Sequence, residues 1–283
     1  MKTLQLLLVC MVAVLYSRAQ DNEDDLTPDQ AQFERAMDVY EEGDLASAAS
    51  EFRKFMVEYS ESPLVARAHY NVAYISFFLK EFGTAKLIFR EILAMPYNEQ
   101  DPNGLMEPYT LYKHHSCRML AEMALEEQDY SAAEKYIHQF DKVYPYQHFC
   151  GNEWAAYDMY LTVMRARVYE GRNQIQKMLE VLLPYTFTNS LASNNGVLDK
   201  LVEVLEKNYS KEVLRQEFAR SFASLAIKQN KKETHASVLI YGVKVEVEDS
   251  YFSMDEENRT KPASETERYQ NIVKGNKLFK KFL

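Results

Sequence analysis

Residues 71–89 decide the fold of this chain, and they read NVAYISFFLKEFGTAKLIF. In the second half of this stretch, Phe82, Ala85 and Phe89 lie three and four residues apart, a spacing that puts them on one face of a helix. In the first half, Ala73 supplies a small side chain where two helices cross closely. The stretch therefore predicts two helices packed against each other as a hairpin.

The same apolar pattern occurs three times along the chain. The matching sets are Leu45, Ala48, Phe52 and Phe55, then Phe82, Ala85, Phe89 and Ile92, then Tyr130, Ala133, Ile137 and Phe140. The offset is 37 residues and then 48, because a loop over residues 96–108 lengthens the third copy. Ala36, Ala73 and Ala121 are the small residues of the preceding helices. Such a pattern indicates an internal repeat whose units bury their apolar faces against one another.

This repeat resembles the tetratricopeptide repeat. The match rests on Asn71, Val72, Ala73, Phe82, Ala85 and Phe89, and again on Leu120, Ala121, Asp129, Tyr130, Ala133 and Pro145. It covers residues 29–146, and a fourth copy extends the helical repeat domain to 29–185. Its style is similar to that of exported tetratricopeptide proteins of the bacterial periplasm and outer membrane. We therefore expect a mostly all-α fold, an α-solenoid of three or four hairpins followed by two helices and a small C-terminal β element.

The resemblance also implies a binding surface, because the first helices of such hairpins line a concave groove. Mapped onto this chain, the partner-binding groove contains Arg67, Tyr70, Tyr74, Phe78, His115, Arg118 and Glu122. The same mapping adds Phe33, Met37, Tyr40, Phe77 and Glu126. Aromatic side chains and arginine anchor many protein interfaces. The aromatic members fit equally well as core between adjacent helices, and that alternative stays open at this point.

The N-terminal residues predict export. Lys2 precedes an apolar run from Leu4 to Leu15, and Ser17-Arg18-Ala19 fits the site that a signal peptidase cleaves. We expect a signal peptide at residues 1–19 and an acidic leader at residues 20–28, which places the mature protein in the periplasm or at the outer membrane. The alternatives are an N-terminal membrane anchor, for which the apolar run is short, and lipidation at Cys10, for which Val9 stands where a small residue is needed.

Composition limits the classes of fold and partner. The chain has a formal net charge of -9, which disfavours nucleic acid and anionic lipid surfaces as main partners. Glycine and proline occur eight times each. This scarcity argues against a turn-rich β-sandwich and against a glycine-rich phosphate site. The composition therefore favours a helical protein that binds another protein.

The C-terminal part has a different pattern from the repeats. A helical extension is expected at residues 186–232, with helices at 197–207 and 210–228. Residues 243–248 read VKVEVE, an alternation that predicts a half-buried strand within a short β element at 233–252. The sequence thus places a small sheet after the helices.

Residues 253–283 read as a polar and then basic C-terminal tail. Near its end, Leu278, Phe279, Phe282 and Leu283 are interleaved with lysines. Two interpretations are open. The tail is either a helix that makes peripheral contact with a membrane or a partner, or a frayed terminus with solubilising lysines.

Familiar catalytic motifs are absent from the sequence, including Gly-x-Ser-x-Gly and His-Glu-x-x-His. Two His-x-Cys pairs, 115–117 and 148–150, have ligand types that zinc prefers. Residues two apart on a helix point about 200° from each other, however, which disfavours a shared metal ion. A Cys117–Cys150 disulfide and two buried thiols are the other interpretations. We expect no cofactor, no metal site and no enzymatic activity.

The sequence therefore predicts an exported scaffold that binds a peptide or a partner domain in the cell envelope. Two alternatives belong to other classes. One is a metal-dependent or enzymatic envelope protein that uses the His and Cys cluster at residues 114–150. The other is a structural envelope component that oligomerises by strand addition at the β element.

Overall fold

A computed structural model describes residues 26–96, 112–146, 151–188, 192–229, 234–248 and 264–283. These residues are mostly helical and include a three-stranded antiparallel sheet, which confirms the predicted mostly helical fold with a small β element. The expected signal peptide and most of the acidic leader lie outside these ranges. Within the ranges, no helix has the length and apolar character needed to cross a membrane.

The chain divides into two compact units. The N-terminal unit comprises residues up to 127 together with 138–147, and the C-terminal unit comprises 128–137 together with the residues from 148 onward. All of the residues implied in the groove belong to the N-terminal unit, so the candidate site is contained in that unit alone.

Five helices make up most of the described residues of the N-terminal unit. They are α1 (Pro28–Glu41), α2 (Leu45–Glu58), α3 (Val65–Phe78), α4 (Phe82–Ala94) and α5 (Tyr112–Glu126). A π-helical turn, Gln139–Val143, packs against α5. Each of the five helices packs against the next in chain order, and α3 also contacts α5. Helices α3 and α5 therefore lie next to each other.

Local polar groups set where the first helices begin. At the start of α1, the backbone N–H of Thr27 donates to Gln30 Oε1 at 2.9 Å, which is one half of a capping box. The turn before α2 uses Gly43, whose φ of +87° is open to glycine at little cost. Asp44 then accepts a hydrogen bond from the Ser47 N–H at 3.1 Å and caps α2.

Most of the repeated apolar positions in this unit form its core, as predicted, whereas Leu45 and Phe82, the first positions of two copies, are not buried. The repeated positions of this unit with no solvent exposure are Ala48, Phe52, Phe55, Ala85, Phe89, Ile92 and Phe140. The Phe33 ring of α1 lies 5.4 Å from the Phe52 ring and 5.5 Å from the Phe55 ring. Ala36, Ala73 and Ala121 are also fully buried, which fits their role where helices cross closely.

The C-terminal unit is built from helices and one sheet. Its helices are α6 (Tyr130–His138), whose last residue belongs to the N-terminal unit, α7 (Gly151–Gly171), α8 (Ile175–Leu182), α9 (Asn195–Asn208), α10 (Lys211–Ala223), α11 (Glu265–Gly275) and α12 (Lys277–Phe282). Its strands are β1 (Ala226–Gln229), β2 (Thr234–Ile240) and β3 (Val243–Glu246), in the order β1-β2-β3. One apolar core joins α7 and α8 to α9, α10, the sheet and the last two helices.

The predicted helix over residues 210–228 is too long at its C-terminal end, because α10 ends before Ser224. The Ser224 hydroxyl donates to the carbonyl oxygen of Ser221 at 2.7 Å and accepts the Leu239 N–H at 2.8 Å. The Ser224 side chain therefore bonds to the last turn of α10 and to β2 at the same time. Serine hydroxyls can form such local hydrogen bonds with backbone groups in place of the regular helix bonds.

The predicted β element is confirmed as the hairpin of β2 and β3, in which Val238 pairs with Val245. Tyr241 and Gly242 connect the strands with φ of +48° and +78°, the left-handed conformations of a two-residue hairpin turn. The Glu217 carboxylate of α10 accepts the Tyr241 N–H at 2.7 Å. A charged acceptor therefore holds the turn against the helix.

The predicted C-terminal tail is wrong for residues 264–283, which form α11 and α12 rather than a frayed end. Phe279 of α12 is buried, and its ring lies 5.0 Å from that of Phe218 on α10. Lys281 pairs with Glu206 of α9 at 2.9 Å. Leu278, Phe279 and Phe282 are buried inside the C-terminal unit, whereas Leu283 is half-exposed. The burial of these three side chains stabilises a helix that has only six residues.

Candidate functional site

The residues implied in the groove lie on two helices of the N-terminal unit, and we call their shared surface the α3–α5 face. Helix α3 contributes Arg67, Tyr70, Tyr74 and Phe78, and helix α5 contributes His115, Arg118 and Glu122. Each of these seven residues is at least partly exposed. The structure thus brings all seven onto neighbouring helices. Among the additional groove positions, Phe33 is 1% exposed, so its assignment to the groove is wrong and it belongs to the core.

A row of side chains runs along α3, and we call it the α3 row. Its members are Arg67, Asn71, Tyr74 and Phe78, at spacings of four, three and four residues. This spacing keeps all four on one side of the helix. Phe78 at the end of the row is 42% exposed.

Aromatic rings connect this row to helices α4 and α5. The Tyr74 ring centre lies 5.9 Å from that of Tyr70 and 4.7 Å from that of Phe78. Tyr70 in turn lies 5.8 Å from Tyr112 and 5.9 Å from Phe89, which is core. The aromatic residues therefore serve both of the interpretations left open by the sequence, because the same rings pack on the core and remain partly exposed.

The exposed end of the ring series continues onto α4. Phe77 lies 5.7 Å from Phe78 and 5.6 Å from Phe82, and Phe82 is 45% exposed. Phe82 was expected on the buried face of its helix. Its position at the first turn of α4 places it beside the last turn of α3, so it extends the aromatic surface.

Arg67 begins the α3 row, and its guanidinium carbon lies 5.3 Å from the centre of the Phe33 ring. This is the geometry of a cation–π contact. Among the described residues, no carboxylate and no hydrogen-bond acceptor contacts Arg67. A partly buried guanidinium is therefore held in place with its donor groups directed to no other part of the described chain.

Arg118 of α5 lies beside the tyrosines. Burial raises the pKa of Tyr70, and the charge and hydrogen bond of Arg118 oppose that rise. Burial also raises the pKa of Tyr74, with a smaller opposing effect from Arg118. Both phenols are therefore neutral at physiological pH, where each hydroxyl can donate or accept a hydrogen bond.

His115 faces the same group of rings, with its ring centre 6.0 Å from that of Tyr70. Burial lowers its pKa well below the usual value, and the nearby Arg118 and His114 lower it further. Its Nδ1 is buried and has no hydrogen-bond partner among the described residues. His115 is thus a neutral imidazole at physiological pH.

In the described part of the His and Cys cluster, His114 and Cys117 contact neighbouring groups of the fold. His114 Nδ1 lies 2.7 Å from the carbonyl oxygen of Tyr144 and 3.2 Å from that of Phe140. Cys117 is buried, with its Sγ 3.9 Å from Gln139 Oε1. No group of three or more His, Cys, Asp or Glu side chains in the described part of the chain is placed to hold a metal ion. Cys150 and His148 lie outside that part, so the structure does not test the choice between a Cys117–Cys150 disulfide and two buried thiols.

Besides Phe82, two residues of the site were not identified from the sequence. Asn71 was part of the repeat match, but it also lies on the α3 row, where its Nδ2 lies 3.6 Å from Met37 Sδ. Its spacing of four from Arg67 could have indicated this. Tyr112 is the first residue of α5, and no capping residue in the sequence indicated that start. Its ring packs against that of Tyr70.

Comparisons of this chain with protein-family models, with curated proteins and with solved structures found no match.

Proposed function

We propose that this protein is a binding scaffold that holds an extended segment of a partner protein on the α3–α5 face. The repeat resemblance supports this proposal, because stacked helical hairpins of an α-solenoid offer an extended surface for partners. The signal peptide expected at residues 1–19 supports a place for it in the envelope, in the periplasm or at the outer membrane.

The observation that carries the proposal is the continuous series of partly exposed rings on α3 and α4. Tyr70, Tyr74, Phe78 and Phe82 belong to one chain of ring contacts that also includes Phe77, and the last members are about half exposed. Exposed rings that touch one another form an apolar patch, and such patches mark interaction sites more often than scattered apolar residues do.

The polar groups around the rings fit the same role. Arg67 and Asn71 supply hydrogen-bond donors, and two neutral tyrosine hydroxyls can both donate and accept. A protein segment in an extended conformation has free backbone carbonyl and N–H groups that need such partners. One surface thus offers aromatic rings to the side chains of a partner segment and polar groups to its backbone.

Affinity capture with matched variants tests this function. The tagged protein is incubated with the envelope fraction of its own cells, and retained proteins are quantified by mass spectrometry. We expect a partner that is retained by the native protein and lost in the variants Tyr74→Ala, Phe78→Ser and Arg118→Ala. The control Val57→Ser changes an 81% exposed residue of α2 and should retain the partner.

Circular dichroism and a melting curve accompany each variant, so that loss of binding is separated from loss of folding. A partner retained equally by the native protein and by all three folded variants would contradict a role for the α3–α5 face.

A further inference from the structure

The side chains of the α3 row become less polar along the helix. This order indicates the chemical character of the segment that would bind to it. The order is a guanidinium at Arg67, an amide at Asn71, a phenol at Tyr74 and an exposed phenyl ring at Phe78. A partner that complements this order has a negative group at one end and an apolar group at the other.

The end with Arg67 favours a carboxylate in particular. The guanidinium stacks on Phe33 and contacts no carboxylate within the described residues, so its planar set of donors remains to be matched. Arginine binds carboxylates through two parallel hydrogen bonds, and a partly buried site strengthens them.

A second positive charge lies on the same face as Arg67. Arg118 of α5 lies beside Tyr70 and Tyr74. The charged groups of Arg67 and Arg118 therefore favour a negative group on the partner, because complementary charges across an interface attract each other.

The dimensions of the helix give the spacing within the partner. Tyr74 follows Arg67 by seven residues and Phe78 follows it by eleven, which correspond to about 10 Å and about 16 Å along the axis. An extended chain rises about 3.3 Å per residue. The side chain over Tyr74 is then about three residues from the carboxylate, and the side chain over Phe78 about five.

We propose that the α3–α5 face binds an extended acidic segment in which a Glu or Asp is separated by about three residues from an aromatic side chain and by about five from a second apolar one. This inference rests on the proposed function and gives the chemical class of the partner segment. The carboxylate binds Arg67, the amide of Asn71 bonds to the partner backbone, and the apolar side chains pack on Tyr74 and Phe78.

A fluorescence-polarisation titration with synthetic peptides tests the inference. The probe is a fluorescein-labelled peptide with one glutamate, a phenylalanine three positions later, a leucine five positions later, and serine or alanine elsewhere. Three comparison peptides replace the glutamate with glutamine, reverse the order, or move the glutamate next to the phenylalanine. Each is titrated with the full chain, with Arg67→Gln, and with Arg53→Gln, which makes the same change at an exposed position of α2.

The expected result is saturable binding in which a correctly spaced glutamate peptide, in one of the two orders, binds about tenfold more tightly than its glutamine counterpart. Arg67→Gln should remove this tenfold preference, and Arg53→Gln should keep it. Binding that is equal for glutamate and glutamine peptides, or a preference that survives Arg67→Gln, would overturn the inference.

The failure of this inference is distinguishable from the failure of the proposed function. If none of the peptides binds, but a partner is still captured in a way that depends on Tyr74 and Phe78, the acidic segment is refuted and the scaffold function stands. If the Tyr74→Ala and Phe78→Ser variants also capture the partner as well as the native protein does, both the acidic segment and the scaffold function are refuted.

Discussion

Arg67 on α3 packs its guanidinium over the ring of Phe33 on α1, 5.3 Å from the ring centre, and so joins the polar start of the α3 row to the core of the N-terminal unit. The contact fixes a charged side chain without neutralising its charge, because an aromatic ring accepts no proton and offers no negative group. A side chain that is held in place before a partner arrives loses less conformational freedom on binding.

Replacing Arg67 should therefore affect stability only slightly. We expect Arg67→Gln to lower the free energy of unfolding by no more than about 1 kcal/mol, the usual value of a partly exposed cation–π contact. Urea denaturation of the native protein, of Arg67→Gln and of Arg53→Gln measures this difference. A loss of several kcal/mol would show that Arg67 is mainly a structural residue.

Stability should also fall as the solution becomes more acidic than about pH 6.5. Burial lowers the pKa values of His115 and His69 from the ordinary 6.5, with Glu91 partly opposing the effect at His69. The unfolded chain then takes up protons at a higher pH than the folded chain does. The free energy of unfolding therefore decreases as pH falls through and below 6.5, by up to about 1.4 kcal/mol per pH unit for each group.

Urea titrations between about pH 7.5 and pH 5, around the histidine range, measure that dependence. His115→Gln should flatten it, because the neutral amide takes up no proton. The control His138→Gln changes an exposed histidine and should keep the native slope. Identical slopes for the native protein and His115→Gln would contradict the buried, neutral state of His115.

The last helix should be essential to the C-terminal unit. Phe279 is 1% exposed and contacts Phe218 and Phe187. We expect Phe279→Ala to lower the free energy of unfolding by about 3–5 kcal/mol, since truncation of a buried phenylalanine leaves a cavity. The control Leu283→Ala, at a half-exposed position, should change it by less than about 1 kcal/mol. Equal effects would mean that α12 is not part of the core.

Gly171 should be required at the end of α7 because of Tyr130. A Cβ atom at this position would lie 1.9 Å from Tyr130 Cζ, far inside contact distance. Glycine to alanine normally stabilises a helix, whereas Gly171→Ala should lower the free energy of unfolding by about 1–3 kcal/mol through overpacking. The double variant Gly171→Ala with Tyr130→Ala should show strong coupling in a mutant cycle. Additive effects would contradict the contact.

The helical part of the N-terminal unit could be predicted from the sequence because its signals are local and agree with one another. The spacing of Ala48, Phe52 and Phe55 specifies a buried helix face, and Gly43 with Asp44 specifies the turn and cap before it. The seven groove residues followed from the same register, so all of them lie on α3 and α5.

Features that depend on contacts distant in sequence could not be predicted. Ser224 ends α10 by bonding to Leu239, and nothing near Ser224 in the sequence shows that strand. The lysine-rich end of the chain has the composition of a mobile tail, yet Phe279 packs on Phe218 from another helix. Likewise, the position of Phe33 in the core depends on which helices cover α1.

Photocrosslinking in the protein's own cells reports whether the exposed end of the α3 row contacts a partner protein. A photoreactive phenylalanine analogue is placed at Phe78 in one version of the protein and at Val57 in another, since both positions are exposed and only Phe78 lies on the α3–α5 face. We expect a discrete crosslinked protein from position 78 and none from position 57. Crosslinks from position 57 alone, or the same products from both positions, would contradict it.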